Sequence, residues 1–235
     1  MAERRESLDA AALRSGAAQL GLQLNEAQLE KLLQLGTELM RWNKTYNLTS
    51  VDSPSEVLTH HLLDSLAAHD ALEGTRIADV GTGAGFPGLP LAIIHPQKTF
   101  LLVDSAGKKL RFIAHVARQL QLGNVATLHA RVESLPQDPQ DTVITRAFAP
   151  MPRLVEWIRP LCDAHTQVVA MKGKWPPPPG SEDEGELAGW RVESVRRVEV
   201  PGLAADRHLV RQAAGGSSGG RPRGAATRAR EAMPG

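Results

Sequence analysis

Asp79-Val80-Gly81-Thr82-Gly83-Ala84-Gly85-Phe86-Pro87-Gly88 follows a short apolar run at Arg76–Val80 and precedes an apolar stretch at 89–94 that reads as helical. Glycines between a strand and a helix let the backbone turn tightly and approach a ligand with no Cβ in the way. In a doubly wound sheet this loop lies at the carboxyl end of the first strand, where such folds bind ligands. The spacing then discriminates between ligands. A dinucleotide fingerprint, G-x-G-x-x-G, would need its third glycine at position 86, where this chain has Phe86. The pattern present is acid-x-Gly-x-Gly-x-Gly, formed by Asp79, Gly81, Gly83 and Gly85, the spacing associated with S-adenosylmethionine. An acid at the end of strand one suits that cofactor's cationic amino group, or a water beside it.

Outward from the loop, Thr99–Asp104, Val125–His129, 141–145 and 166–171 read as further strands, with an amphipathic helix at 108–122 between the second and third. Strands alternating with helices predict an α/β fold: a Rossmann-like, mostly parallel, doubly wound sheet with an N-terminal helical extension. In that extension Asn25 and Gln28 form a capping-box pattern ahead of Leu29, Leu32, Leu33, Gly36, Leu39 and Met40 at helical spacing. Ser53, Pro54 and Glu56 start a second helix, whose apolar face runs through Val57, Leu58, Leu62, Leu66 and Ala67 to about Leu72. WPPPPG at 175–180 and the acidic SEDEGE after it read as an exposed loop. The runs 191–200 and 207–211 read as an antiparallel edge pair. Three parts result: a helical extension over 1–73, a core over 74–212, and a Gly/Arg-rich disordered tail over 213–235.

Composition sets outer limits. The 235 residues are 42% hydrophobic, enough for a real core, and no apolar run approaches the roughly 20 residues that cross a bilayer. A single cysteine, Cys162, leaves no disulfide and no cysteine-rich zinc site, and no His/Asp/Glu cluster has metal-ligand spacing. The chain is expected to be cytoplasmic and monomeric, with no metal. Net charge is only +1, so a nucleic-acid partner would need a local basic patch.

Asp104, at the end of the second strand, is placed to accept hydrogen bonds from both ribose hydroxyls of a nucleoside cofactor, NAD included. Backbone groups at Arg131-Val132-Glu133, after the third strand, are placed to edge an adenine. The methyl acceptor is narrowed by absences. The loop after strand four reads Thr145-Arg146-Ala147-Phe148-Ala149-Pro150, without the Asn/Asp-Pro-Pro-aromatic sequence used on exocyclic base amines, and Cys162 lies away from the place of a C5 nucleophile. An acceptor with a free lone pair and no proton to lose, such as guanine N7, needs neither base nor nucleophile, only orientation.

At these residues the chain resembles the bacterial 16S ribosomal-RNA guanine-N7 methyltransferases, the glucose-inhibited division protein B family. The likeness runs from about residue 35 to 173. It is carried by Trp42-Asn43, Asn47-Leu48-Thr49, His61, Asp64-Ser65-Leu66, DVGTGAGFPGLPLAI at 79–93, VDSAGKKLRFI at 103–113, ITRAFAP at 144–150 and Met171-Lys172-Gly173. The resemblance implies methyl transfer from S-adenosylmethionine to N7 of a guanine in 16S ribosomal RNA, free or in a 30S-related particle, with no side chain needed as acid or base. It also implies that Gly81 and Phe86 touch the cofactor, that Asp104, Ser105 and Ala106 flank its adenosine, and that Val132 and Glu133 border the adenine. Arg146 would line the mouth of the site, near cofactor and target nucleotide. Two departures stand out: Asp163-Ala164-His165-Thr166 replaces a glycine-rich turn, and Arg211-Gln212 with the glycine tail follows RHLV.

Candidate RNA contacts are Arg41 and Asn47 near the Asn-Leu-Thr block, Lys108, Lys109 and Arg111 at a helix start beside the glycine loop, and Lys172. Aromatic residues make up only 4% of the chain, which argues against stacking platforms as the main mode of RNA binding. A small-molecule methyltransferase, a nicotinamide oxidoreductase and a non-catalytic cofactor- or RNA-binding protein remain as rivals, the oxidoreductase disfavoured by Phe86.

Overall fold

A computed structural model describes residues 7–185, 187 and 189–214. Its seven strands are β1 (Arg76–Val80), β2 (Thr99–Asp104), β3 (Val125–His129), β4 (Thr142–Arg146), β5 (Gln167–Lys172), β6 (Trp190–Val198) and β7 (Arg207–Ala214), in the order β3-β2-β1-β4-β5-β7-β6. The first five are parallel, and β7 enters antiparallel between β5 and β6. The two late runs therefore do pair, but only β6 is an edge. The first three strands keep the expected bounds, while β4 and β5 each lie one residue later. β7 continues through Ala213 and Ala214 into the span assigned to the tail; residues 215–235 lie outside the described residues.

The helices are α1 (Ala10–Gln19), α2 (Glu26–Tyr46), α3 (Pro54–Glu56), α4 (Asp64–Leu66), α5 (Gly88–Ile94), α6 (Gly107–Gln119) and α7 (Met151–Trp157). The capping box at α2 is formed, with Gln28 N donating to Asn25 Oδ1 (2.9 Å) and Asn25 N to Gln28 Oε1 (3.1 Å). Ser53 caps α3, with Pro54 opening the helix. The stretch expected to run as one helix to Leu72 differs: Val57–Leu63 is a π-helix joining α3 to α4, and helix ends at Leu66. The Ser65 hydroxyl donates to the His61 carbonyl (2.6 Å), an inward bond of the kind that competes with regular helix. Such wide turns are frequent at functional sites.

α1, α2, the π-helical turn, α5 and α6 share one apolar cluster on one face of the sheet, including Leu13, Leu32, Leu62, Leu89, Phe112 and Ile113. On the other face, Met151, Leu154 and Ile158 cover Ala78, Val143, Val168 and Val210. Gly36 lets α2 lie close against Leu8 and Val57. Burial on both faces suits the near-continuous apolar runs of a parallel sheet. No helix among the described residues is long and apolar enough to cross a membrane.

Candidate active site

β1 lies between β2 and β4, so the chain leaves it in opposite directions on its two sides and a crevice opens at the strands' carboxyl ends. The glycine loop fills one wall. Gly81, Gly83 and Gly85 have φ of 66°, 61° and 89°, the left-handed region where side chains are strained. A Cβ at Gly81 would collide with the Phe148 ring, whereas one at Gly83 would meet only Lys109 Nζ, 3.9 Å away.

The loop's hydrogen bonds limit what it can hold. Gly81 and Thr82 donate to the Val103 carbonyl, Gly85 and Phe86 to that of Thr82, and Leu89 to that of Gly85. Gly83 N donates to Asp104 Oδ2 (2.9 Å) and Gly88 N to Asp79 Oδ2 (2.8 Å). A pyrophosphate at a helix N-terminus needs such amides free. Here seven between Gly81 and Leu89 are satisfied within the protein, which disfavours a dinucleotide by a criterion independent of Phe86.

Asp79 is fully buried, and its Oδ2 also accepts from the Thr82 hydroxyl (2.6 Å), bracing the loop from beneath. Its Oδ1 is buried with no hydrogen-bond partner. Burial pushes this carboxyl up to about 6, against the pull of the Thr82 and Gly88 bonds. A lone buried carboxylate oxygen beneath a glycine cradle fits a cofactor that carries an ammonium group.

Asp104 ties Gly83 to the start of α6, its Oδ1 accepting from Ala106 N (2.7 Å). Each carboxylate oxygen keeps a second lone pair, and the side chain is only partly buried. Beside it a cleft of about 170 Å³ is lined by Gly81, Asp104, Ser105, Val132, Glu133 and Phe148, with Trp157 behind. Val132 is buried; Glu133 is exposed, 3.8 Å from Arg131. Phe148 and Trp157 (ring centroids 5.8 Å apart) are the walls that sequence reasoning missed. The available signal was an aromatic two residues beyond a central strand. Ala147, held at a left-handed φ of 51°, makes the turn that brings Phe148 back over Gly81.

The opposite wall comes from the N-terminal helices. Arg146, at the end of β4, donates from Nη1 to the His60 carbonyl (2.7 Å) and to Asp64 Oδ2 (2.9 Å), and from Nη2 to His61 Nδ1 (3.2 Å). A guanidinium only donates, so His61 Nδ1 is the acceptor, and Nε2–H donates to Thr49 Oγ1 (2.9 Å). Thr49 is held in turn, its backbone amide donating to Asn43 Oδ1 (2.9 Å). Burial, with the Arg146 charge, lowers His61 to about 3, so the ring is neutral. It stacks on Phe86, centroids 4.7 Å apart, while Arg146 Cζ sits 5.9 Å from the same ring's centre. Asp64 is fully buried, and its Oδ1 accepts from Arg207 Nε on β7 (2.6 Å). Arg146 is thus ion-paired, with its side chain still 18% exposed.

A family model described as rRNA small subunit methyltransferase G matches residues 28–210, a span that takes in every one of these groups. The chain belongs to the rRNA small subunit methyltransferase G family. Curated relatives of that name include one from Idiomarina loihiensis, 45% identical over 82% of this chain and 92% of the relative, and one from Vibrio vulnificus, 46% identical over 82% and 90%. Among solved structures, a SAM-dependent methyltransferase from Aquifex aeolicus superposes with a TM-score of 0.51 at 19% identity, over 71% of this chain and 97% of that one, a likeness of fold. Asn43, Thr49, His61, Asp64 and Arg146, far apart in the sequence, are the links of one hydrogen-bonded chain.

The expected RNA contacts divide. Arg41, Asn47, Lys108 and Arg111 are exposed, and Lys109 flanks the loop at Gly83. Lys172 differs: its Nζ donates to the Ala149 carbonyl (3.0 Å) and Asp183 Oδ1 (2.6 Å), and its side chain is 12% exposed. The acidic segment read as a plain exposed loop returns here, since Asp183 also accepts from Met151 N (2.8 Å) at the start of α7.

Proposed function

We propose that this protein transfers a methyl group from S-adenosylmethionine to N7 of a guanine in 16S ribosomal RNA, presented as RNA or in a 30S-related particle to a cytoplasmic monomer. The observation that carries the choice of acceptor is the saturation of the Arg146 network. Both His61 ring nitrogens are engaged, and both Asp64 oxygens are held by arginines. Cys162 precedes β5, at the opposite end of the sheet from the crevice, and burial pushes its thiol up to about 12. Among the side chains of that network, His61, Asp64 and Arg146 all have their polar atoms committed to one another or to neighbours. None of the three stands ready to take a proton or to attack, which suits an acceptor nitrogen that has a lone pair and no proton to lose.

When bound, the cofactor supplies an electrophilic methyl group on sulfur. Asp79, beneath the loop, would face its ammonium, Asp104 would receive ribose hydroxyls, and Ser105, Ala106, Val132 and Glu133 would border the adenosine. Arg146, fixed by three acceptors, gives the mouth a rigid positive charge against which a nucleotide can be oriented; orientation of this kind supplies much of the rate for a simple displacement.

The reading is tested by tritiated methyl transfer to small-subunit RNA and to 30S particles from a strain lacking the protein, followed by borohydride–aniline cleavage at N7-methylguanine. A single cleavage site is expected. Incorporation without cleavage would remove the N7 assignment, and no incorporation into either form would remove the RNA substrate.

A pH dependence follows from Asp79. With its carboxyl raised to about 6, the protein without cofactor holds a proton there below that pH, whereas an adjacent ammonium favours the ionised form. Affinity for S-adenosylmethionine is therefore expected to strengthen as pH rises from 5 to 7, by at most about tenfold per unit below pH 6. Calorimetric titrations of wild type and Asp79→Asn check this; equal slopes in both would show that Asp79 does not face the ammonium.

A further inference from the structure

Tyr46 ends α2 and is one of two large hydrophobic side chains left exposed among the described residues, at 44%. One side of its ring rests on Trp42 (centroids 5.1 Å apart, tilted 33°), and Trp42 is fixed by Phe112 (5.6 Å) and His115 (5.0 Å). The ring is thus held in place by a packed base. The left-handed residue Asn47 then turns the chain toward Thr49.

Its position is tied to the site from two directions. The Tyr46 carbonyl accepts from Lys108 Nζ (3.2 Å) on α6, where the next residue, Lys109, flanks Gly83. Asn43, less than one turn back on α2, holds Thr49, which holds His61 and through it Arg146. Exposed cations lie nearby in the fold: Lys108 on the Tyr46 carbonyl, Lys44 two residues back on α2, and Arg111 next to Phe112, which packs on Trp42. Among the described residues Lys44 and Arg111 have no ion-pair partner, and Arg41 meets Glu38 only at 3.5 Å; Glu38 is itself largely buried and shared with His115.

An exposed aromatic face on a rigid base, set among uncommitted cations at the mouth of the crevice, matches the two surfaces of a single-stranded nucleotide: a π-face to stack and a phosphate to pair. We propose that Tyr46 is the stacking surface for an unpaired nucleobase adjacent to the methylated nucleotide, with Lys44, Lys108 and Arg111 on the flanking phosphates. This rests on the RNA substrate proposed above. Scarcity of aromatics argues against many platforms, but one placed at the entrance is enough to hold a splayed strand in register.

The test uses protein-free small-subunit ribosomal RNA and full-length Tyr46→Phe, Tyr46→Leu and Tyr46→Ala. Tyr46→Phe is expected to keep its KM for RNA within about twofold, while Leu and Ala raise it about tenfold or more, with kcat and cofactor affinity unchanged. Tyr46→Leu matching Tyr46→Phe would overturn the proposal, because apolar bulk rather than a π-face would then suffice. So would wild-type KM in Tyr46→Ala, or parallel loss of cofactor affinity in all three variants. Tyr46 is the chain's one tyrosine, so fluorotyrosine labelling gives a single fluorine resonance. That resonance is expected to shift on adding RNA without cofactor; no shift with RNA that binds would also overturn the proposal. Absence of RNA methylation by wild type marks failure of the underlying function instead, since the fluorine measurement does not depend on turnover.

Discussion

Gly81→Val is expected to remove measurable S-adenosylmethionine binding, at least a hundredfold loss of affinity, and to lower the melting temperature. The residue sits at φ 66°, and a Cβ there collides with the Phe148 ring. Left-handed backbone costs an ordinary residue about 1–2 kcal/mol, and overpacking a filled site about 1–3 kcal/mol more. For a chain of this size that corresponds to a fall of about 4–20 °C. Relief requires Phe148 to swing away, and it cannot do so without leaving Trp157 and deforming the cleft beside Asp104. Gly21→Val is the matched control: φ is 81°, but nothing lies within 4 Å of the added Cβ. It should lose stability through backbone strain alone and keep full cofactor affinity. Calorimetric titration and differential scanning of both variants decide the matter; cofactor affinity retained in Gly81→Val would show that the glycine loop is not the binding wall.

Arg146→Ala is expected to reduce methyl transfer to RNA by about a hundredfold while changing cofactor affinity by less than about fivefold. Three acceptors lose their donor at once: the His60 carbonyl, His61 Nδ1 and one oxygen of the fully buried Asp64. Leaving a buried charge without one of its partners costs about 3 kcal/mol, moderated here because Arg207 still holds the other oxygen. Released from the neighbouring guanidinium, His61 is free to protonate more readily and to leave its stack on Phe86. Single-turnover transfer and equilibrium cofactor binding on the same preparation separate the two effects. Equal losses in both would place Arg146 at the cofactor rather than at the target nucleotide.

The fold was legible wherever one local pattern dominates. β1, β2 and β3 are short apolar runs ended by Gly, Asp and polar residues, and the Asn25/Gln28 pair marks a helix start that no tertiary contact contradicts. The π-helical turn was not legible, because the apolar spacing of the stretch looks helical throughout and carries no mark of the wider turn. Within the site, the cofactor side could be read from one continuous segment. Its opposite wall could not, because residues 43, 49, 61, 64, 146 and 207 meet only through the fold and carry no spacing rule. For Lys172 the residue type pointed to a phosphate, but an aspartate eleven positions on had already met its charge.

The strand order also governs when the site can exist during synthesis. β6 is made before β7 but pairs with no other strand, and the outer edge of β5 stays open until the same segment arrives. Arg207, at the first residue of β7, reaches Asp64 across 143 positions of chain. A nascent chain that stops short of β7 therefore lacks the second guanidinium on its buried carboxylate and leaves two strand edges unpaired. Such an intermediate carries open strand edges, the templates on which other chains pair, until the last strand slots into the middle of a nearly finished sheet.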